Sequence, residues 1–285
     1  MTCGYLYIAI GEMFRYEAER SCKSLKRFTK LPTCLVTDDP IFKSKEFDQI
    51  IYVENIGRSF EVKITGMQIS PFDKTVFLDT DTFVCNPIDD VFEFLDYFDM
   101  ATTLEPKGHS ENFWKQYQPN YPIRLKGVLH EFNTGVVGFN KSPVVVEFFS
   151  TWLRIHRELN MYADMPTFRE AYLQSQVKVG ILPHEYNFTG LKSLAIAYGK
   201  VRVIHDRLGE KFNDLRPHMA DFEFMDRLAK KINKTELKRL IIPYVGVIPY
   251  NFSPYYIKQK IKRMMGIKTK KKRDSFIVKE GKKSI

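Results

Sequence analysis

The segment Lys74–Pro87, KTVFLDTDTFVCNP, restricts the possible folds more than any other. Thr75–Leu78 reads as a short buried strand that runs straight into Asp79, with Asp81 two residues on. In extended backbone, residues i and i+2 project to the same side. Both carboxylates are therefore expected to leave the sheet together at the carboxyl end of the strand, the edge where α/β sheets bind ligands. Two close carboxylates repel unless a cation lies between them. A divalent ion there could also neutralise a diphosphate leaving group, acting as a Lewis acid.

The residues before this segment say what kind of sheet it joins. Tyr5–Ile10 reads as a strand, Arg15–Phe28 as a helix, Thr33–Thr37 and Gln49–Val53 as strands, and Phe60–Ile69 as a helix ended by Ser70-Pro71. This order predicts an α/β domain with a largely parallel sheet. Further on, a helix is expected over Ile88–Tyr97 and a strand over Asp99–Thr103. Strands follow at Thr134–Phe139 and Val201–Ile204, with helices at Pro143–Leu159 and Phe168–Gln174. Residues 105–131, rich in Pro, Gly, His and Asn, read as a long functional loop or an insert. Residues 211–250 read as mostly helical.

At 285 residues with 44% apolar content, the chain can build a sizeable core. Its four cysteines, Cys3, Cys22, Cys34 and Cys85, have no paired C-x-x-C spacing. Two disulfides are arithmetically open to them, but free buried thiols in a reducing compartment are the simpler expectation. The apolar stretch Tyr5–Ile10 is too short for a signal sequence, and no window approaches the ~18 apolar residues of a membrane span. A cytoplasmic location is expected.

The formal net charge of +10 is unevenly placed. Residues 258–285 hold twelve Lys or Arg against two acids, so the rest of the chain carries 32 of each sign. A neutral body with a basic tail argues against nucleic acid as the partner of a folded face. In Pro254–Gly266, Ile257, Ile261, Met264 and Met265 fall on one helical face among Lys and Arg. Such a helix can lie peripherally on an anionic membrane surface, or pack on its own domain with a solvated basic face. The stretch 267–285 has few apolar residues and is expected to be disordered.

With Asp79-Thr80-Asp81 on a buried strand, the sequence resembles the GT-A glycosyltransferases, especially the family 8 type, over about residues 5–211. Other landmarks follow in order. Asn133-Thr134-Gly135-Val136-Val137-Gly138-Phe139 is similar to the family's F-N-[ST]-G-V-x-x-F strand. Asp164-Met165-Pro166-Thr167-Phe168-Arg169 is similar to D-Q-P-x-[LF]-R, with Met165 in place of the Gln. Leu182-Pro183-His184-Glu185-Tyr186-Asn187 is similar to L-P-x-x-[YF]-N. His205 follows a last core strand, as the family's metal-binding His does. Gly209 and Lys211 come after it without the family's spacing or its Trp, which puts Lys211 in doubt as a phosphate ligand.

The resemblance implies a mixed Rossmann-like GT-A sheet flanked by helices. It implies a metal set of Asp79, Asp81 and His205 holding a divalent ion, manganese rather than magnesium because of the imidazole. Donor contacts are implied from Lys63, Thr80, Asn133, Thr134 and Gly135, with Asp164 as the catalytic acidic group near the reacting sugar. Read alone, Asn133–Gly135 is equally a core strand opening with a glycine bulge, and Lys63 equally a solvated helix position. The implied domains are a catalytic unit over residues 1–215, a helical extension over 216–266 and a tail over 267–285. The implied function is sugar transfer from a nucleotide-diphosphate sugar to a glycan, lipid or protein.

Two other readings share these residues. VFLDTDTFV also fits the haloacid-dehalogenase-type phosphohydrolase motif, with Asp79 as nucleophile and Asp81 as acid/base. That fold usually opens on its motif strand, whereas about 75 residues precede this one. The third reading is a membrane-tethered sugar-nucleotide binding protein without turnover.

Overall fold

The computed structural model describes residues 1–54, 60–106, 124, 125, 128–161, 163–189, 193, 196–205 and 221–234. Contacts divide the chain into Met1–Leu240 and Ile241–Ile285, and every described residue lies in the first unit. The expected loop over 105–131 and the expected helices of 211–250 fall largely outside the described residues. The basic tail falls wholly outside them.

The strands of the main sheet are β1 (Cys3–Ala9), β2 (Thr33–Thr37), β3 (Gln49–Tyr52), β4 (Lys74–Leu78), β6 (Met100–Leu104), β7 (Phe132–Asn140) and β8 (Val179–Ile181). Their spatial order is β3-β2-β1-β4-β7-β6-β8. β1, β2, β3 and β4 run parallel, and β7 runs antiparallel to both its neighbours, so the sheet is mixed. A smaller sheet joins β5 (Phe83–Val84), β10 (Val203–His205) and β9 (Phe188–Thr189) in the order β5-β10-β9.

Strand alternation sends side chains to two separate cores. Tyr5, Tyr7 and Ala9 of β1 pack on one face with Ala18, Cys22 and Leu25 of helix α1 (Glu12–Leu25) and with Val91 of α3 (Asp90–Phe94). Leu6, Val36 and Phe77 pack on the other. There they meet Ile64 and Met67 of α2 (Phe60–Gln68), Trp152 of α4 (Pro143–Leu159) and Phe168 of α5 (Asp164–Leu173). Trp152 and Phe168 meet edge-on, ring centroids 4.9 Å apart. A third core lines the small sheet, where Phe83, Phe188 and Ile204 pack on Met225 and Ala229 of α6 (Phe222–Asn233).

The four cysteines are free. Burial pushes the thiols of Cys22, Cys34 and Cys85 up to about 12, so they are inert apolar packing rather than reactive groups.

Most expected elements are present, with shifted ends. Helix α5 starts at Asp164, four residues before the expected Phe168, because Pro166 sits in its first turn. Proline is tolerated there, where the N–H would lack an intrahelical partner anyway. Helix α3 is shorter than the Ile88–Tyr97 stretch expected of it.

Candidate metal and donor site

From β1 the chain crosses to β2 and β3 on one side, while β4 lies on the other. The carboxyl ends of β1 and β4 thus flank a topological switch point, where an open α/β sheet leaves a crevice. At the end of β1, Gly11 turns into α1 with φ 94°, a conformation glycine adopts without steric cost. At the end of β4 stands Asp79.

The two aspartates do not come together by extended alternation. Residues 79–82 form a tight turn in which Thr82 donates to the Asp79 carbonyl from its N–H at 3.1 Å and its hydroxyl at 2.7 Å. The expected extended geometry is corrected to a turn. Its cause is a change of sheet, since β4 belongs to the large sheet and β5, only four residues on, to the small one.

Helix α1 clamps this turn from behind. The Arg20 guanidinium donates to the carbonyls of Thr80 (3.2 Å) and Thr82 (2.9 Å). Ser21 and Thr82 share a hydroxyl hydrogen bond at 2.7 Å, and the Thr80 hydroxyl donates to Glu17 at 3.0 Å. Thr80, expected at the donor, thus turns its side chain towards α1.

His205, at the end of β10, completes the cluster. Its Nε2 lies 3.5 Å from Asp79 Oδ2 and 3.4 Å from Asp81 Oδ1. One ligand atom from each of Asp79, Asp81 and His205 falls within 4.8 Å of the others. Two carboxylates and one imidazole suit a divalent ion that prefers oxygen with some nitrogen.

A β-bulge shapes the far wall. Between Thr102 and Thr103 of β6, the paired residue on β7 jumps from Val137 to Asn133. Thr134, Gly135 and Val136 are therefore extra residues, displaced from the β6 ladder. Thr102 stitches both ends of the bulge, donating to the carbonyls of Asn133 (2.6 Å) and Val136 (2.9 Å). Meanwhile Asp79 N–H donates to the Gly135 carbonyl at 2.8 Å. The bulge and the aspartate turn are thus joined directly.

Lys63 sits between the two candidate acidic positions. Its Nζ is 3.0 Å from Asp79, 3.0 Å from Asp164 Oδ2 and 3.3 Å from the Thr134 hydroxyl, which itself donates to Asp164 at 2.7 Å. Burial disfavours the charge on Lys63, but Asp164 and Asp79 outweigh it and raise its pKa. Burial likewise works against the Asp164 carboxylate, but Lys63 and the Thr134 hydroxyl hold it below the usual range. Asp79 goes the other way. Burial raises its pKa, and the neighbouring Asp81 and Asp164 add to that against Lys63 and His205.

Every candidate residue thus falls in or against one continuous network. Lys63 is buried in it rather than solvated. Sequence reasoning assigned no role to Glu17, Arg20, Glu105 or Asn187. For α1 there was a signal. Glu17, Arg20, Ser21 and Ser24 fall at i, i+3, i+4 and i+7, so a helical stripe that should be apolar is polar and buried.

No protein-family model matches the chain, and no curated protein matches it by sequence. Solved structures do match in fold. Mouse xyloside xylosyltransferase 1, in its apo form, is 15% identical over 72% of this chain and 98% of its own, with a TM-score of 0.51. The galactosyltransferase LgtC, solved with donor and acceptor sugar analogues, is 12% identical over 80% of this chain and 95% of its own, with a TM-score of 0.51. An active-site mutant of LgtC is 11% identical over 78% and 95%, with a TM-score of 0.55. The mixed sheet and its helices are therefore a GT-A fold, the architecture these glycosyltransferases share.

Proposed function

We propose that the chain is a metal-dependent glycosyltransferase of the GT-A family 8 type, moving a sugar from a nucleotide-diphosphate donor to a glycan, lipid or protein. The observation that carries the reading is the convergence of His205 Nε2 with the Asp79 and Asp81 carboxylates at the switch point of the sheet. The GT-A fold supports it, and so does the placement of Lys63 and Asp164 beside that cluster.

In this reading Asp79, Asp81 and His205 hold a divalent ion, manganese by preference and magnesium as a substitute. When bound, the ion supplies positive charge to a diphosphate leaving group. Asn133, Thr134 and Gly135 line the donor sugar, with Thr80 contributing through its backbone. Lys63 holds Asp164 ionised and fixed, and Asp164 faces the reacting sugar. Preorganised charge of this kind stabilises a transition state without reorganisation cost.

No helix among the described residues is long and apolar enough to cross a membrane. A cytoplasmic protein resting on an anionic membrane through residues 254–285 is the placement that fits the basic tail.

The phosphohydrolase alternative is weaker. Its nucleophile belongs on the opening strand of its fold, whereas Asp79 follows the fourth strand and sits against Lys63 and Asp164. The test is a thermal-shift panel of nucleoside diphosphates with and without Mn2+, followed by nucleoside-diphosphate release from the sugar nucleotide that scores best. A ligand at 100 times its Kd stabilises by about 2.7 kcal/mol. Stabilisation should need metal and nucleotide together, and Asp81→Ala should abolish it while folding normally. Release of phosphate from simple phosphomonoesters, with no response to any sugar nucleotide, would decide for the rival.

A further inference from the structure

We infer that Asn187 is a positioning residue for the metal site, the last member of a buried polar relay that fixes which ring nitrogen of His205 faces the aspartates. The inference rests on the metal reading above.

The relay can be read without ambiguity because it begins at a backbone N–H, which only donates. Gly135 N–H donates to the side chain of Asn133 at 3.0 Å, so the accepting atom is Asn133 Oδ1. That leaves Asn133 Nδ2 to donate to Glu105 Oε2 at 2.8 Å. The same Asn133 Oδ1 lies 2.7 Å from the Asn187 amide, so the Asn187 atom there is its Nδ2. Asn187 Oδ1 therefore faces His205 Nδ1, at 2.7 Å. An amide oxygen only accepts, so Nδ1 carries the hydrogen. The neutral ring then presents an unprotonated Nε2 to Asp79 and Asp81, the state a metal ligand requires.

Reversing any one amide in this series would set two donors or two acceptors face to face. Asn187 is fully buried, and Asn133 nearly so, so such a mismatch would lie away from bulk solvent, where it is costly. The order of bonds is thus imposed from the β7 bulge outward to the ring. Hydrogen bonds to a ligand's far nitrogen typically govern metal affinity by about 10–100-fold.

The experiment measures Mn2+ binding to the full chain by the EPR signal of free Mn2+, in the absence of substrate. Asn187→Leu should weaken binding by about 10–100-fold. Asn187→Asp keeps an acceptor for Nδ1–H but buries a carboxylate facing Asn133 Oδ1. It should bind Mn2+ nearly as wild type does, yet melt at a lower temperature than Asn187→Leu. A purely structural role predicts the opposite, with affinity following melting temperature. In a His205→Ala background, Asn187→Leu should weaken binding no further. The inference is overturned if Asn187→Leu binds as wild type does, if Asn187→Asp binds more weakly than Asn187→Leu, or if the His205 and Asn187 losses add. Should Asn187→Leu not fold, Asn187→Asp decides alone, and a loss equal to that of His205→Ala overturns the inference. Wild-type protein that binds no Mn2+ removes the metal reading itself, and this inference with it.

Discussion

The imidazole of His205 occupies the space that a side chain on Gly135 would need. A Cβ built there would lie 2.7 Å from Nε2 and closer still to Cε1 and Nδ1. Gly135→Ala must therefore displace the ring, because β10 and the bulge are both tied into sheets. The expected outcome is a folded protein that has lost most of its Mn2+ affinity, with a stability loss of about 1–3 kcal/mol from overpacking. Calorimetric titration with Mn2+ checks the first part and urea denaturation the second. Undiminished metal binding in this variant would mean that His205 is not a ligand.

Lys63 bridges two carboxylates that would otherwise repel. Removing one partner from a buried ion pair usually costs about 3–5 kcal/mol, because the charge left behind is uncompensated. Lys63→Met should lower the urea midpoint of the metal-free protein accordingly. Added Mn2+ should then stabilise the variant more than it stabilises wild type, since the ion takes over the neutralisation of Asp79. Equal metal-induced shifts in the two proteins would show that Lys63 and the ion act independently.

His156 should supply a pH dependence separate from the Asp79, Asp81 and His205 cluster. Its Nδ1 is 3.1 Å from the Thr167 hydroxyl, which donates to the Asp164 carbonyl at 2.9 Å. Burial holds its pKa below the ordinary 6.5, against the pull of Asp164 and Glu61. Below pH 6.5 the unfolded chain takes up a proton that the folded chain resists. The stability contribution is therefore complete above 6.5 and lost as pH falls from there towards the folded value. His156→Asn should flatten the fall in melting temperature between neutral pH and pH 5. An unchanged slope would assign that fall to other groups, such as His184, which burial also holds low.

The tail makes a separate prediction. Twelve basic residues against two acids in 258–285 should bind anionic vesicles at low salt and release them as salt rises. Deleting residues 254–285 should abolish this binding and leave the metal-dependent thermal shift intact. Vesicle cosedimentation that does not change on deletion would exclude the tail as the anchor.

The sequence made the large sheet readable because its inner strands are short apolar runs bounded by turn residues. Thr33–Thr37 and Lys74–Leu78 are buried along their whole length, which is why their pattern is continuous rather than alternating. The acidic pair and His205 were readable as chemistry on strand ends. The β7 bulge was foreshadowed only by Gly135, since the extra residues of a bulge follow no period. Asn187 closed the L-P-x-x-[YF]-N landmark but carried no role there, and Glu105 carried no signal at all. Their partners lie 18 and 28 residues away along the chain, and only folding creates the need to satisfy them. Arg20 is the instructive miss, for its polar stripe on α1 was visible and carried no interpretation without the turn it grips.

The aspartate turn is also the point where one sheet hands over to another. Asp79 terminates a strand of the large sheet, and His205 terminates a strand of the small one. An ion gripped by both would be a second tie between the two sheets, beside the buried hydrogen bond that Asn187 already makes to Asn133 of β7. Occupancy of the site by a cation would therefore be felt in β5, β9 and β10 as well as in the large sheet.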